Sequence, residues 1–181
     1  KVVTYDSDST EDSRSYFVNQ ATFESVGSGL MDVMGELIGG EGEVAIVCGS
    51  LTAANQVIWA DYMRKRQAEK FPKISIVTVK PSEEDQQLAF QVTQDLLKAY
   101  PNLKGVFGTT SVALPGAAQA VKQSGFSGKV AVTGLSTPKS MKQYVDDGTV
   151  KTFVLCSPVD LGYLAVQTAA KLGAADKLPA K

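Results

Sequence analysis

The chain has 181 residues, 44% of them hydrophobic, with 18 basic and 19 acidic side chains, two cysteines and no histidine. Such a length admits one large α/β domain or two small ones with ample core, and the balanced charge argues against a nucleic-acid partner, which calls for a basic excess. Without an imidazole the chain has no Ser-His-Asp or Cys-His unit and no histidine-bearing zinc site, so chemistry at neutral pH would fall to carboxylates, lysines or a bound metal.

Read in order, short β-branched runs alternate with stretches of helical period, the signature of βαβ units around a parallel sheet. Strands are expected at 2–5, 44–48, 74–79, 105–108, 130–134 and 152–156, and helices at 22–38, 53–70, 83–99, 113–124, 138–146 and 159–172. A further apolar stretch at 15–20 reads as an extra strand that carries the chain from one sheet to another, with a boundary at Asn19-Gln20. Gly39-Gly40-Glu41-Gly42 reads as a turn, since phosphate-cradling glycine loops follow a strand rather than precede one. Ser82, followed by Glu83, Glu84 and Asp85, reads as a helix start with negative charge in its first turn. The tail from Ala174 is small and polar and is expected to fray.

Cys48 and Cys156 sit in apolar runs and read as buried small hydrophobes, with a disulfide as the alternative. No segment approaches the roughly 18 apolar residues of a membrane span, and none has the form of a signal peptide. Residues 1–5 read as a buried strand at the very first position, where natural chains are more often ragged and polar, so the sequence is expected to start inside a longer protein.

In open α/β sheets ligands bind beyond the carboxyl ends of the strands. There the sequence places Asp6, Ser7 and Asp8; Ser50, Thr52, Asn55 and Gln56; Thr109, Thr110 and Ser111; Ser136 and Thr137; and Cys156 and Ser157. Hydroxyls and amides dominate, with charge nearly confined to the first group. That chemistry suits a polyol better than a phosphate or a cation, although the same residue types are favoured helix caps and turn formers. Asp6 and Asp8 can each accept hydrogen bonds from ligand hydroxyls; Arg14 either reaches the ligand or braces one of them. Trp59, with Tyr62 and Met63 one turn on, reads as helix core.

The same Asp6-Ser7-Asp8-Ser9-Thr10 run fits the Asp-x-Asp-x-Thr pattern of haloacid-dehalogenase-type phosphatases. The late acidic pair that such enzymes need falls at Asp146-Asp147, a helix end facing solvent, so the motif lacks its structural context.

Several blocks carry a resemblance: residues 2–8, Arg14 to Gln20, Ser50 to Gln56 with Trp59, Ala99 to Leu103, Leu114 to Ala118, Gly134 to Pro138 and Val159 to Leu164. Together they resemble the sugar-binding periplasmic proteins of ABC importers, of the type I periplasmic binding protein fold, most closely the rhamnose-binding and autoinducer-2-binding branch. The resemblance implies two similar three-layer α/β lobes with parallel sheets, joined by three crossing strands. Residues 1–19 would end the first lobe, 20–155 form the second, and 156–181 return to the first, most of which lies outside the chain.

It further implies a small neutral sugar, rhamnose-like or autoinducer-2-like, as ligand and the membrane permease of an ABC importer as partner. No cofactor, metal or catalysis is implied. The full-length protein would be a monomer, placed in the periplasm or, in a Gram-positive bacterium, outside the cell as a lipoprotein. Asp6 and Asp8 match the family's acidic ligand position, Asn55 and Gln56 its polar pair, Thr109, Thr110 and Ser111 a ligand loop, and Ser136 a hydroxyl or carboxylate position. Cys156 departs from the tryptophan or amide usual in relatives. The effector domain of a LacI-type repressor shares the fold and is the alternative within it.

Overall fold

A computed structural model describes residues 1–155 and 157–174. They form two compact units: Phe23–Leu155, and residues 1–22 with the described part of the segment from 156 onward.

The larger unit is built on a five-stranded sheet. Its strands are β3 (Glu41–Cys48), β4 (Lys73–Pro81), β5 (Leu103–Gly108), β6 (Ala131–Ser136) and β7 (Val154–Leu155), all parallel, in the order β4-β3-β5-β6-β7. Parallel strands need crossovers, and the helices supply them: α1 (Phe23–Ile38) precedes β3, and α2 (Ala54–Lys70), α3 (Gln86–Ala99), α4 (Ala113–Gln123) and α5 (Pro138–Asp146) connect the strands that follow.

β3 explains the layering. Its residues Val44 to Cys48 are all buried, and alternate side chains enter different cores: Val44, Ile46 and Cys48 pack with Leu30, Met34, Trp59 and Met63 of α1 and α2, while Ala45 and Val47 pack with Leu96, Ala117, Val121 and Met141 of α3 to α5. A strand covered on both faces reads as a continuous apolar run, which is why this segment stands out in the sequence. α4 carries four alanines and one glycine and is enclosed by α3, α5 and the sheet; from Ala113 to Ala118 every residue is buried.

The smaller unit holds β1 (Val3–Tyr5) and β2 (Tyr16–Val18), a parallel pair, with α6 (Pro158–Ala174) against both. A 3-10 turn at Glu11–Ser13 joins the strands.

Several sequence expectations change. The first strand is not buried: it runs Val3–Tyr5, and Val2 and Tyr5 are exposed. β3 begins at Glu41, so half of the glycine-rich turn belongs to the strand. The last strand of the sheet is Val154–Leu155, and Cys156, with the tail beyond Ala174, lies outside the described residues. The third connecting helix starts at Gln86, not Glu83: Asp85 is its cap, its side chain accepting the Leu88 N–H at 2.7 Å, while Glu83 and Glu84 adopt left-handed backbone with φ of 49° and 55°.

Candidate functional site

The loops after β3, β4, β5 and β6 leave the same edge of the sheet, the carboxyl edge on which open α/β sheets bind ligands. Gln56, in the first turn of α2, organises this edge. Its Oε1 accepts the Gly49 N–H at 2.7 Å and the Thr109 hydroxyl at 3.4 Å, and its amide donates to Glu84 Oε1 at 3.4 Å. One side chain thus ties together the ends of β3, β4 and β5. Asn55 beside it is 6% exposed, and its Oδ1 accepts the Gln56 N–H at 2.9 Å.

Ser50 and Thr52 share a hydroxyl contact of 3.0 Å in the loop after β3. The Thr110 hydroxyl accepts the N–H groups of Val112 and Ala113, at 3.3 and 3.0 Å, and so heads α4, while Ser111 is exposed. Ser136 is fully buried, 2.9 Å from the Ser140 hydroxyl and 3.4 Å from the Ser111 carbonyl. Ser140 also reaches the Thr137 hydroxyl at 2.9 Å. The surface therefore presents neutral donors and acceptors, several of them already fixed by partners of their own. One carboxylate joins them that sequence reading placed on a helix: Glu84. No local signal marks it, because only the fold brings it to Gln56.

Cavities lie at both edges of the sheet. One of about 180 Å³ reaches the carboxyl edge and is lined by Cys48, Ser50, Gln56 and Val79 among others. The other, about 320 Å³, lies at the amino ends of β5 and β6 with Lys104, Lys129 and Lys151 in its lining. The cavity at the carboxyl edge is thus the smaller of these two. Cys48 is a free, buried thiol, and burial raises its pKa.

In the smaller unit, β1 delivers its two aspartates to different environments. Asp8 accepts from Arg14 through both oxygens, from the Thr4 hydroxyl at 2.7 Å and from the Ser9 N–H at 3.0 Å. The Arg14 hydrogen bond is the chief reason its pKa lies below the ordinary value, with burial opposing. Arg14 also lies 5.8 Å from the Phe17 ring centroid. Arg14 therefore braces Asp8. Asp6 has left-handed backbone, φ 62°, held by its N–H to the Val18 carbonyl at 3.2 Å, and its carboxylate has no hydrogen-bond partner among the described residues. The phosphatase motif meets a different arrangement: Asp146 and Asp147 pair with Lys142 and Lys122 at the end of α5, and no group of three His, Cys, Asp or Glu side chains among the described residues is placed to hold a metal.

Comparison with known proteins decides the family. The profile of the periplasmic binding protein domain matches residues 1–177. The chain belongs to the periplasmic binding protein family. This periplasmic binding protein is 31% identical over 124 residues to the D-allose-binding periplasmic protein of Escherichia coli (strain K12), a match covering 67% of the chain and 39% of that protein. The chain thus spans about two fifths of that relative's length.

Among solved structures, an ABC transporter solute-binding protein from Clostridium phytofermentas with bound L-rhamnose superposes with a TM-score of 0.90 at 32% identity, covering 94% of this chain and 55% of that one. LsrB from Clostridium saccharobutylicum in complex with AI-2 gives 0.90 at 26%, covering 96% and 57%. The parallel α/β architecture of this periplasmic binding protein is the type I fold, and its neighbours include both ligand classes of the branch it resembles.

Proposed function

We propose that the chain is part of the solute-binding component of a bacterial ABC sugar importer, holding a small neutral sugar, rhamnose-like or autoinducer-2-like, and transforming nothing. The observation that carries this reading is the carboxyl edge of the larger unit: Ser50, Thr52, Asn55, Thr110 and Ser111 offer hydroxyl and amide groups of the kind that match sugar hydroxyls, in a chain whose family match runs over residues 1–177. Asp6, at the acidic ligand position that the resemblance implies, is a further carboxylate acceptor in this reading.

In this reading residues 1–19 end the first lobe, 20–155 form the second, and 156–181 return to the first. Apolar exposure in the smaller unit supports it. Val159, Tyr163 and Val166 of α6 are 81%, 64% and 68% exposed, while Leu161, Ala165 and Leu172 of the same helix are buried. A helix apolar on both sides is suited to burial on both sides, and residues of a longer protein would supply the second covering. The lobes would close on the sugar because the closed state binds it more tightly, and the closed form would be presented to a membrane permease outside the cytoplasm.

Calorimetric titration of the full-length protein with L-rhamnose, D-allose, D-ribose and AI-2 tests the proposal. Saturable binding of at least one is expected. Binding of none would overturn it.

A further inference from the structure

The turn between β4 and α3 is built against local preference. Glu83 and Glu84 are consecutive non-glycine residues with φ of 49° and 55°, a conformation that costs on the order of 1 kcal/mol or more for each. Ser82 just before them is fully buried, and its hydroxyl has no partner among the described residues. Gly49 then leaves space for the result: a β-carbon there would stand 1.8 Å from Glu84 Oε1. The strained turn, the missing side chain at Gly49 and the 3.4 Å contact to Gln56 Nε2 all serve one placement, that of the Glu84 carboxylate against the Gln56 amide.

We propose that Glu84 is a positioning residue of the carboxyl-edge site, holding the NH₂ end of the Gln56 amide whose oxygen end Gly49 and Thr109 hold. The inference rests on the sugar-binding reading and extends it by one residue. With its oxygen receiving Gly49 N–H and Thr109 hydroxyl, Gln56 has its NH₂ as the remaining donor, and a carboxylate acceptor on one side holds that NH₂ in a single orientation. The Gly49 N–H at 2.7 Å from Oε1 keeps the amide from turning over, so without Glu84 the NH₂ keeps its direction but loses its charged partner, and the side chain is held at its oxygen end alone.

The test sets stability against binding in the full-length protein. Glu84→Gly removes the left-handed penalty and is expected to raise Tm by about 2–4 °C while weakening binding of whichever of L-rhamnose, D-allose, D-ribose or AI-2 the parent binds by about tenfold. Glu83→Gly is expected to raise Tm similarly and leave affinity unchanged, and Glu84→Gln, which keeps an acceptor oxygen, to bind within about threefold of the parent.

Parent-like affinity in Glu84→Gly would overturn the inference. If the parent binds no sugar, the functional reading falls, and the positioning role is judged by NMR. Glu84→Ala should then move the Gln56 side-chain amide resonances and Glu83→Ala should not; unmoved Gln56 resonances would refute the role.

Discussion

Arg14 grips Asp8 with a forked hydrogen bond, Nε to Oδ1 at 2.9 Å and Nη2 to Oδ2 at 2.7 Å, both side chains being about four-fifths buried. The pair divides the labour of the two aspartates after β1. Asp8 spends its acceptors inside the protein, fastening the loop after β1 to the residues that lead into β2. Asp6, two residues earlier, keeps its own.

Asp6→Asn is therefore expected to weaken sugar binding while leaving Tm nearly unchanged. Hydrogen bonds to a charged acceptor contribute about 1.5–3 kcal/mol, so the loss should be at least tenfold on titration. Asp8→Asn should do the reverse in rank, lowering Tm more than Asp6→Asn does. Equal effects of the two changes on both measurements would contradict this division.

Arg14→Lys keeps the charge and discards the fork, since an ammonium cannot present two parallel donors to a carboxylate. A drop in Tm close to that of Arg14→Met is expected, measured by thermal melting. Full stability in the lysine variant would mean that charge, and not the forked geometry, holds the loop.

Acid should destabilise the larger unit through Asp147. Lys122 at 2.7 Å, with the side chain and N–H of Thr149, holds its carboxyl down to about 2 in the folded chain. The unfolded chain takes up that proton first, near the ordinary carboxylate value of roughly 3.9. The contribution is thus complete above that value and drains away as the pH falls through about 2. Tm measured from pH 5 to 2 should fall less steeply in Asp147→Asn and Lys122→Met than in the parent; parallel curves would exclude this pair as a source of acid sensitivity.

Gly108 and Gly134 face each other across the β5–β6 pair, and a β-carbon on Gly134 would stand 1.8 Å from the Gly108 carbonyl oxygen. Backbone cannot yield as a side-chain tip can. Gly134→Ala is expected to leave little soluble folded protein. Gly29→Ala, in the interior of α1 with nothing within 4 Å of the added carbon, should instead stabilise by about 0.5–1 kcal/mol in urea titration.

How much of this could be read from the residues follows a physical line. The run Val44 to Cys48 announces a strand buried on both faces, and the bounds of the helix Pro138–Asp146 are legible because proline opens it and Asp147-Gly148 closes it. Those signals are local. Ser82-Glu83-Glu84-Asp85 misleads for the same reason: it has the composition of a helix start, yet Glu83 and Glu84 take left-handed backbone and the Glu84 carboxylate meets Gln56, 28 residues away in the chain. Hydroxyls and amides at strand ends were likewise visible as types. Which were spent on partners was not, since the fork on Asp8 and the double load on the Gln56 oxygen exist only once the loops are in place.

Trp59 is the chain's single tryptophan, four residues beyond Asn55 on α2, 7% exposed in the core shared by α1 and α2. Its ultraviolet emission is accordingly a lamp that belongs wholly to the Phe23–Leu155 unit. Melting followed by tryptophan fluorescence will register the larger unit alone, whereas tyrosine absorbance reports both units, since Tyr5, Tyr16 and Tyr163 lie in the smaller one and Tyr62, Tyr100 and Tyr144 in the larger. An absorbance transition that does not coincide with the fluorescence one would therefore mark the smaller unit unfolding on its own.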